Sequence, residues 1–163
     1  MEYRKFNRGS APEYPRGERF PDRLELLEGG AQSDLSWLRN TERGAIVFVM
    51  SAGCEACDLN AAAGLMAERP ELDYLLLAEA GDEEYSGLAE ELAAYPCRIA
   101  RCEISALSAR IPIKVIPFMI VLDREGLVIG SGLFNTAAHA AALARPLLRI
   151  GEADDGGAMA ESG

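Results

Sequence analysis

No stretch of this chain approaches the roughly 18 consecutive apolar residues of a membrane-spanning helix. Its first residues, MEYRKFNRGS, lack the apolar core of a secretory signal. The chain therefore reads as soluble and, by the absence of a signal, as cytoplasmic. Membrane association would require an anchor outside it. Basic residues are the minority, with 16 Lys and Arg against 26 Asp and Glu and a formal net charge of −10. Non-specific nucleic-acid binding runs on neutralisation of phosphates by Lys and Arg, so nucleic acid is not an expected partner. Histidine occurs once, at His139, between polar neighbours in a helical segment, and reads as an exposed side chain. Cysteine occurs four times. A disulfide-built scaffold is normally smaller and denser in cysteine. A zinc site of the paired type would want CxxC twice, whereas Cys97 and Cys102 have four residues between them.

What is present suits one domain with its own core. The chain has 163 residues, 49% of them apolar and 26% charged, which are globular values. Residues 1–20, rich in charge, proline and glycine, read as an irregular lead-in. A short strand or edge element is expected over 21–27, and Gly29-Gly30 is a turn. Ser33 to Leu38 suggests a short helix with Ser33 as N-cap. Ala45 to Met50, AIVFVM, is a continuous apolar run suited to a central strand buried on both faces. Asp58 to Arg69 is helical in composition, and Pro70 stops it. Leu72 to Ala78 is a second apolar strand, Asp82 to Ala94 a helix, Arg98 to Ile104 a short strand, and Ser105 to Ile111 a short helix or turn.

Phe118 to Leu122, FMIVL, is a third clear strand. The turn Asp123-Arg124-Glu125-Gly126 returns the chain into Leu127-Val128-Ile129 as a hairpin. Thr136 to Ile150 is a last helix, interrupted or terminated near Pro146. Residues 151–163, GEADDGGAMAESG, form an acidic, glycine-rich tail expected to be disordered. Strands separated by helices argue for parallel pairing early, and the tight hairpin argues for an antiparallel pair late. The expectation is an α/β domain over 21–150, with a central mixed sheet and helices on both faces.

The motif that carries chemistry is Cys54-Glu55-Ala56-Cys57, directly after the first buried strand. With a helix starting at or near Cys54, the unpaired N–H groups of its first turn would stabilise a thiolate and lower the Cys54 pKa. Cys57, one turn later, could close a disulfide with Cys54. That geometry suits thiol–disulfide exchange through a mixed disulfide. Glu55 and Asp58 add negative charge, which disfavours a thiolate but is itself stabilised near a helix N-terminus, so the direction of net electron flow stays open. The competing reading is a pair of inert or structural thiols.

The strand AIVFVMSAGCEAC, the Ile116-Pro117-Phe118 step before FMIVLD, the DREG turn and LVIGSG together resemble the thioredoxin-like superfamily. More narrowly, they resemble its TlpA/ResA and MauD-like branch of thiol–disulfide oxidoreductases. PRGERFPDRLELLEGG is similar to that family's N-terminal extension, and the resemblance covers roughly residues 15–150. It implies a thioredoxin-like fold and exchange of the Cys54–Cys57 pair with cysteines of a partner protein or peptide, as in maturation of a redox enzyme or peptide. Cys54 would attack and Cys57 resolve. Pro117 would be a cis-proline facing the pair, with Ile116 offering backbone contacts to substrate; Ile111-Pro112 is a competing Ile-Pro step, and Pro117 is preferred because it directly precedes FMIVL. A second redox partner would recycle the pair, and no cofactor is called for. Relatives of this type work outside the cytoplasm behind a membrane anchor, which sets a second expectation for location.

The chain also departs from the family. Phe48 stands where thioredoxin carries a buried aspartate, and Gly53 where an aromatic residue precedes the first cysteine. Glu79, after the second strand, is the candidate replacement acid. There is no Thr-x-x-Cys peroxidatic pattern and no CxxxC-plus-histidine copper pattern. The missing buried acid favours the alternative of a binding or maturation module with little or no redox turnover. If residues 97–102 were one extended strand, their ends would lie about 16 Å apart on opposite faces, too far for a disulfide. Separate thiols, a second disulfide across a turn, and a relay to Cys54–Cys57 are the three readings.

Overall fold

A computed structural model of the chain describes residues 14–26, 32–54 and 57–147. The Gly29-Gly30 turn, the Glu55-Ala56 pair and the 151–163 tail lie outside the described residues. The strands are β1 (Arg23–Glu25), β2 (Gln32–Asp34), β3 (Ala45–Ser51), β4 (Asp73–Glu79), β5 (Cys97–Arg101), β6 (Phe118–Leu122) and β7 (Val128–Leu133). The helices are α1 (Leu59–Glu68), α2 (Asp82–Glu91), α3 (Ile104–Ser108) and α4, through residues 137–147. A 3-10 turn covers Ser36–Arg39.

β1 and β2 pair antiparallel as a small ribbon. The other five strands form one mixed sheet in the order β5-β4-β3-β6-β7. β3 pairs parallel with β4 and antiparallel with β6. It is therefore the centre of the sheet, as its unbroken apolar run suggests. Its alternate residues feed two cores: Ala45, Val47 and Val49 on one face, Ile46, Phe48 and Met50 on the other. The second face is covered by Ala61, Ala62, Leu65 and Met66 of α1 and by Ala140, Ala144 and Leu147 of α4. The first is covered by Leu107 of α3 and, unlike the second, mostly by chain without long helices: Tyr14, Phe20, Leu24, Leu35 and Leu38.

The lead-in between residues 14 and 20 is irregular in conformation yet bound to the sheet edge. The Gly17 N–H donates to Val128 O at 2.8 Å, the Val128 N–H to Glu18 O at 2.8 Å, and the Tyr14 N–H to Ser131 Oγ at 2.8 Å. These bonds satisfy the outer edge of β7, which would otherwise present unpaired backbone groups.

Two local expectations change. Ser33 lies in β2, and the 3-10 turn that follows is supported by Asp34, whose Oδ1 accepts from the Ser36 N–H at 2.9 Å. β7 runs to Leu133, well past the expected Ile129. Gly130 and Gly132 weaken the strand signal in sequence, but main-chain pairing with Val121 and Met119 carries the strand through them.

Gly44 shows how tightly β3 is entered. Its φ is +113°, and a Cβ there would lie 2.8 Å from Leu122 O and collide with the Leu147 side chain. Gly44→Ala should therefore lower stability by roughly 1–3 kcal/mol through backbone strain and displacement of α4. A denaturant titration that leaves the unfolding midpoint unchanged would contradict this packing.

Candidate active site

The C-terminal ends of β3 and β4 and the N-terminal end of β6 meet at one edge of the sheet. The register pairs Ser51 with Glu79 and Val49 with Phe118. Pro117 and Ile116, just before Phe118, thus lie at the end from which β3 feeds the cysteine loop. The carboxyl ends of parallel strands are a general location for sites in α/β sheets.

The loop is built by short-range hydrogen bonds. The Ala52 N–H donates to Glu79 O at 2.9 Å, continuing the β3–β4 ladder by one step. Ser51 Oγ accepts from the Gly53 N–H at 3.2 Å, and Ser51 O accepts from the Cys54 N–H at 3.1 Å. Ser51 thereby turns the chain out of the strand, a role that sequence reading missed. A serine at a strand end, two residues before a glycine, was the available signal. Cys54 and Cys57 are joined by a disulfide with Cα atoms 5.3 Å apart. Both are half-buried, and Cys57 packs against the core cluster on the α1 and α4 side.

The helix does not begin at or near Cys54. α1 starts at Leu59, with Asp58 as its N-cap: Asp58 Oδ1 accepts from the Asn60 N–H at 2.9 Å. A short acidic side chain satisfies the first orphan donors well. The capped terminus lies four residues past Cys54, and a helix-end potential falls off within about one turn. Cys57 directly precedes this N-cap, and the disulfide holds the Cys54 sulfur against it.

The Ile116–Pro117 peptide is cis, and no cis bond occurs at Ile111-Pro112. Pro117 is buried and Ile116 half-buried, and Pro117 O accepts from the Phe134 N–H at 3.3 Å. Phe48 is fully buried between two rings, with centroids 6.0 Å from Tyr74 and 5.3 Å from Phe134. The position of thioredoxin's buried acid is thus part of an aromatic core. Glu79, the candidate replacement, lies on a polar cavity of about 420 Å³ that Ala52 and Gly53 also line. Its Oε2 is committed to the Ile104 N–H at 3.1 Å, at the start of α3. Cys57 itself lines a second, more apolar cleft of about 360 Å³. His139 is exposed on α4, its N–H bonded to Thr136 Oγ1.

Cys97 and Cys102 are free thiols. They face opposite sides of the sheet, Cys97 against the cluster of α1 and α4 and Cys102 within the other. A second disulfide between them is thereby excluded, and the four cysteines do not converge. Burial pushes both thiols up from 9.0 to about 12, with Glu79 and Glu103 adding to the rise at Cys102. After mild reduction, Cys54 and Cys57 should react with a thiol reagent at neutral pH, while Cys97 and Cys102 react only on unfolding. The unfolded chain loses these two protons near pH 9, whereas the folded chain holds them to about 12. Stability should fall as pH rises across that window. Cys97→Ala and Cys102→Ala should each flatten the fall, read by denaturant titration at successive pH values.

No family model matches the sequence, and no curated protein matches it. Solved structures do. A thio-disulfide isomerase from Thermus thermophilus is 22% identical, covers 84% of this chain and 97% of its own, and superposes with a TM-score of 0.56. A thiol:disulfide interchange protein from Bacteroides sp. is 16% identical, covers 79% and 88%, and gives 0.56. A thiol peroxidase from Chromobacterium violaceum is 13% identical, covers 88% and 91%, and gives 0.61. With a five-stranded mixed sheet, a cysteine pair after the central strand and a cis-proline directly before β6, this chain has the thioredoxin-like fold of those proteins.

Proposed function

We propose that the protein is a thiol–disulfide oxidoreductase acting on cysteines of a partner protein or peptide. The observation that carries this reading is the Cys54–Cys57 disulfide on the loop after β3, at the same sheet end as the cis Ile116–Pro117 step. In the reducing direction, the Cys54 thiolate attacks one sulfur of the partner disulfide. A Cys54–partner disulfide forms and the partner's other sulfur leaves as a thiolate. The Cys57 thiolate then attacks Cys54 Sγ, closing Cys54–Cys57 and releasing the partner's second thiolate. Two electrons pass to the partner, and the released thiolates take up protons from water. The reverse sequence oxidises a partner dithiol. The difference in reduction potential sets the net direction.

Cys54 is the attacking thiol in this reading because Cys57 is packed against the core cluster behind the loop. Ile116 supplies backbone groups to an extended substrate segment, in the manner of a short added strand. A recycling partner returns the pair to its working oxidation state. The substrate class fits disulfide handling during maturation of a redox enzyme or peptide.

Cys54→Ser should reduce exchange with a protein disulfide such as insulin to the uncatalysed rate. Cys57→Ser should instead accumulate a stable mixed disulfide through Cys54, visible as a mass shift. An unchanged rate in Cys54→Ser would sink the assignment and favour a docking module of the same fold.

A further inference from the structure

The cleft beside Cys57 has a composition that the exchange chemistry alone does not require. Met50, Leu76 and Ala78 form an apolar wall from the sheet, and Leu88 continues it from α2. Cys57 opens onto the same space, and Glu84 and Glu91 stand on its rim. α2 forms one side of the cleft. None of the helix's residues is fully buried. Gly87 faces the cleft, and a Cβ placed there meets no atom within 4 Å. A glycine inside a helix costs about 1 kcal/mol relative to alanine, with no steric demand here to account for it.

The charge around the cleft has one sign. α2 carries Asp82, Glu83, Glu84, Glu90 and Glu91 and no basic residue. Arg101, on the neighbouring cavity, is paired with Asp82 at 2.6 Å and bonded to Ala80 O. The neighbouring polar cavity shares Ala52 and Glu84 with this cleft and adds Glu79 and Glu103. An apolar trough with an acidic rim is complementary to a segment carrying an apolar anchor between cations.

We propose that this cleft docks a basic segment of the thiol partner, seating one apolar side chain against Met50, Leu76 and Leu88 with Lys or Arg beside Glu84 and Glu91. The docked segment lies against Cys57, whose sulfur is bonded to that of Cys54, the thiol that takes the partner's cysteine. This proposal rests on the exchange reading and specifies the partner's chemistry. Gly87 keeps the trough open, and the carboxylates select the sign of the partner's charge.

The test uses the full chain, reduced, and cysteine peptides presented as mixed disulfides. One peptide flanks its cysteine with leucine and two lysines, a second replaces the lysines with glutamates, and a third replaces the leucine with serine. The lysine peptide should exchange about tenfold faster than the glutamate peptide at low salt, with the ratio shrinking as salt rises. Leucine should outpace serine about fivefold. Glu91→Lys should remove most of the charge preference, whereas Glu125→Lys, an equal charge change on the β6–β7 turn, should retain it. Gly87→Leu fills the trough and should abolish the preference for leucine. Equal rates for the lysine and glutamate peptides, or a preference that Glu91→Lys and Glu125→Lys alter alike, would overturn the proposal. Failure of the wild type to exchange with any peptide would instead reject the redox reading. Serine-for-cysteine peptides titrated by fluorescence anisotropy then decide docking alone: tighter binding of the lysine peptide that depends on Glu91 supports it, and equal binding overturns it.

Discussion

Burial of β3 on both faces is the constraint on which the rest of the structure depends. Its alternate side chains enter separate cores, so its edges must be satisfied by neighbours rather than by water. β4 supplies a parallel neighbour and β6 an antiparallel one. With both registers set by the two cores, the end of β3 has little freedom in where it delivers the chain. The cysteine loop, Glu79 and the cis Ile116–Pro117 step come together as a consequence of sheet pairing, although they are far apart in sequence.

The environment of the cysteine pair is set more by the loop than by the helix after it. Ser51 and Glu79 O hold the loop from the strand side, while Asp58 caps α1 beyond the pair. The helix end therefore attends first to its own orphan donors. On the strand side, the aromatic stack of Tyr74, Phe48 and Phe134 occupies the space where a buried carboxylate would be costly without a charged partner. Glu79, at the end of β4, holds the start of α3 through its carboxylate.

Much of the architecture was legible because its signals were local and mutually consistent. AIVFVM and FMIVL announced buried strands by being apolar at every position, and CxxC after such a strand marked the loop that the disulfide closes. Asp123 announced the hairpin, and the structure shows why: its Oδ1 accepts from the Glu125 and Leu127 N–H groups. Where reading failed, a local signal met a longer-range demand. Gly130 and Gly132 look like strand breakers, yet pairing with β6 keeps them extended. Ser33 looks like a cap, yet pairing of β1 with β2 draws it into a strand. The lead-in looks unstructured because its role is to satisfy an edge 100 or more residues away, as in the bond from Tyr14 to Ser131.

The sequence by itself determined which segments must be buried, where the chain turns, and which two cysteines stand close enough to bridge. Each of these follows from residues within a few positions of one another. Only the tertiary structure decided that Cys97 and Cys102 face opposite cores, that Pro117 rather than Pro112 follows a cis bond beside the pair, and that a cleft opens between Cys57 and α2. Those outcomes depend on strand register and on how closely a helix seats against a sheet. Both are settled by the collective packing of distant residues rather than by the preference of any one.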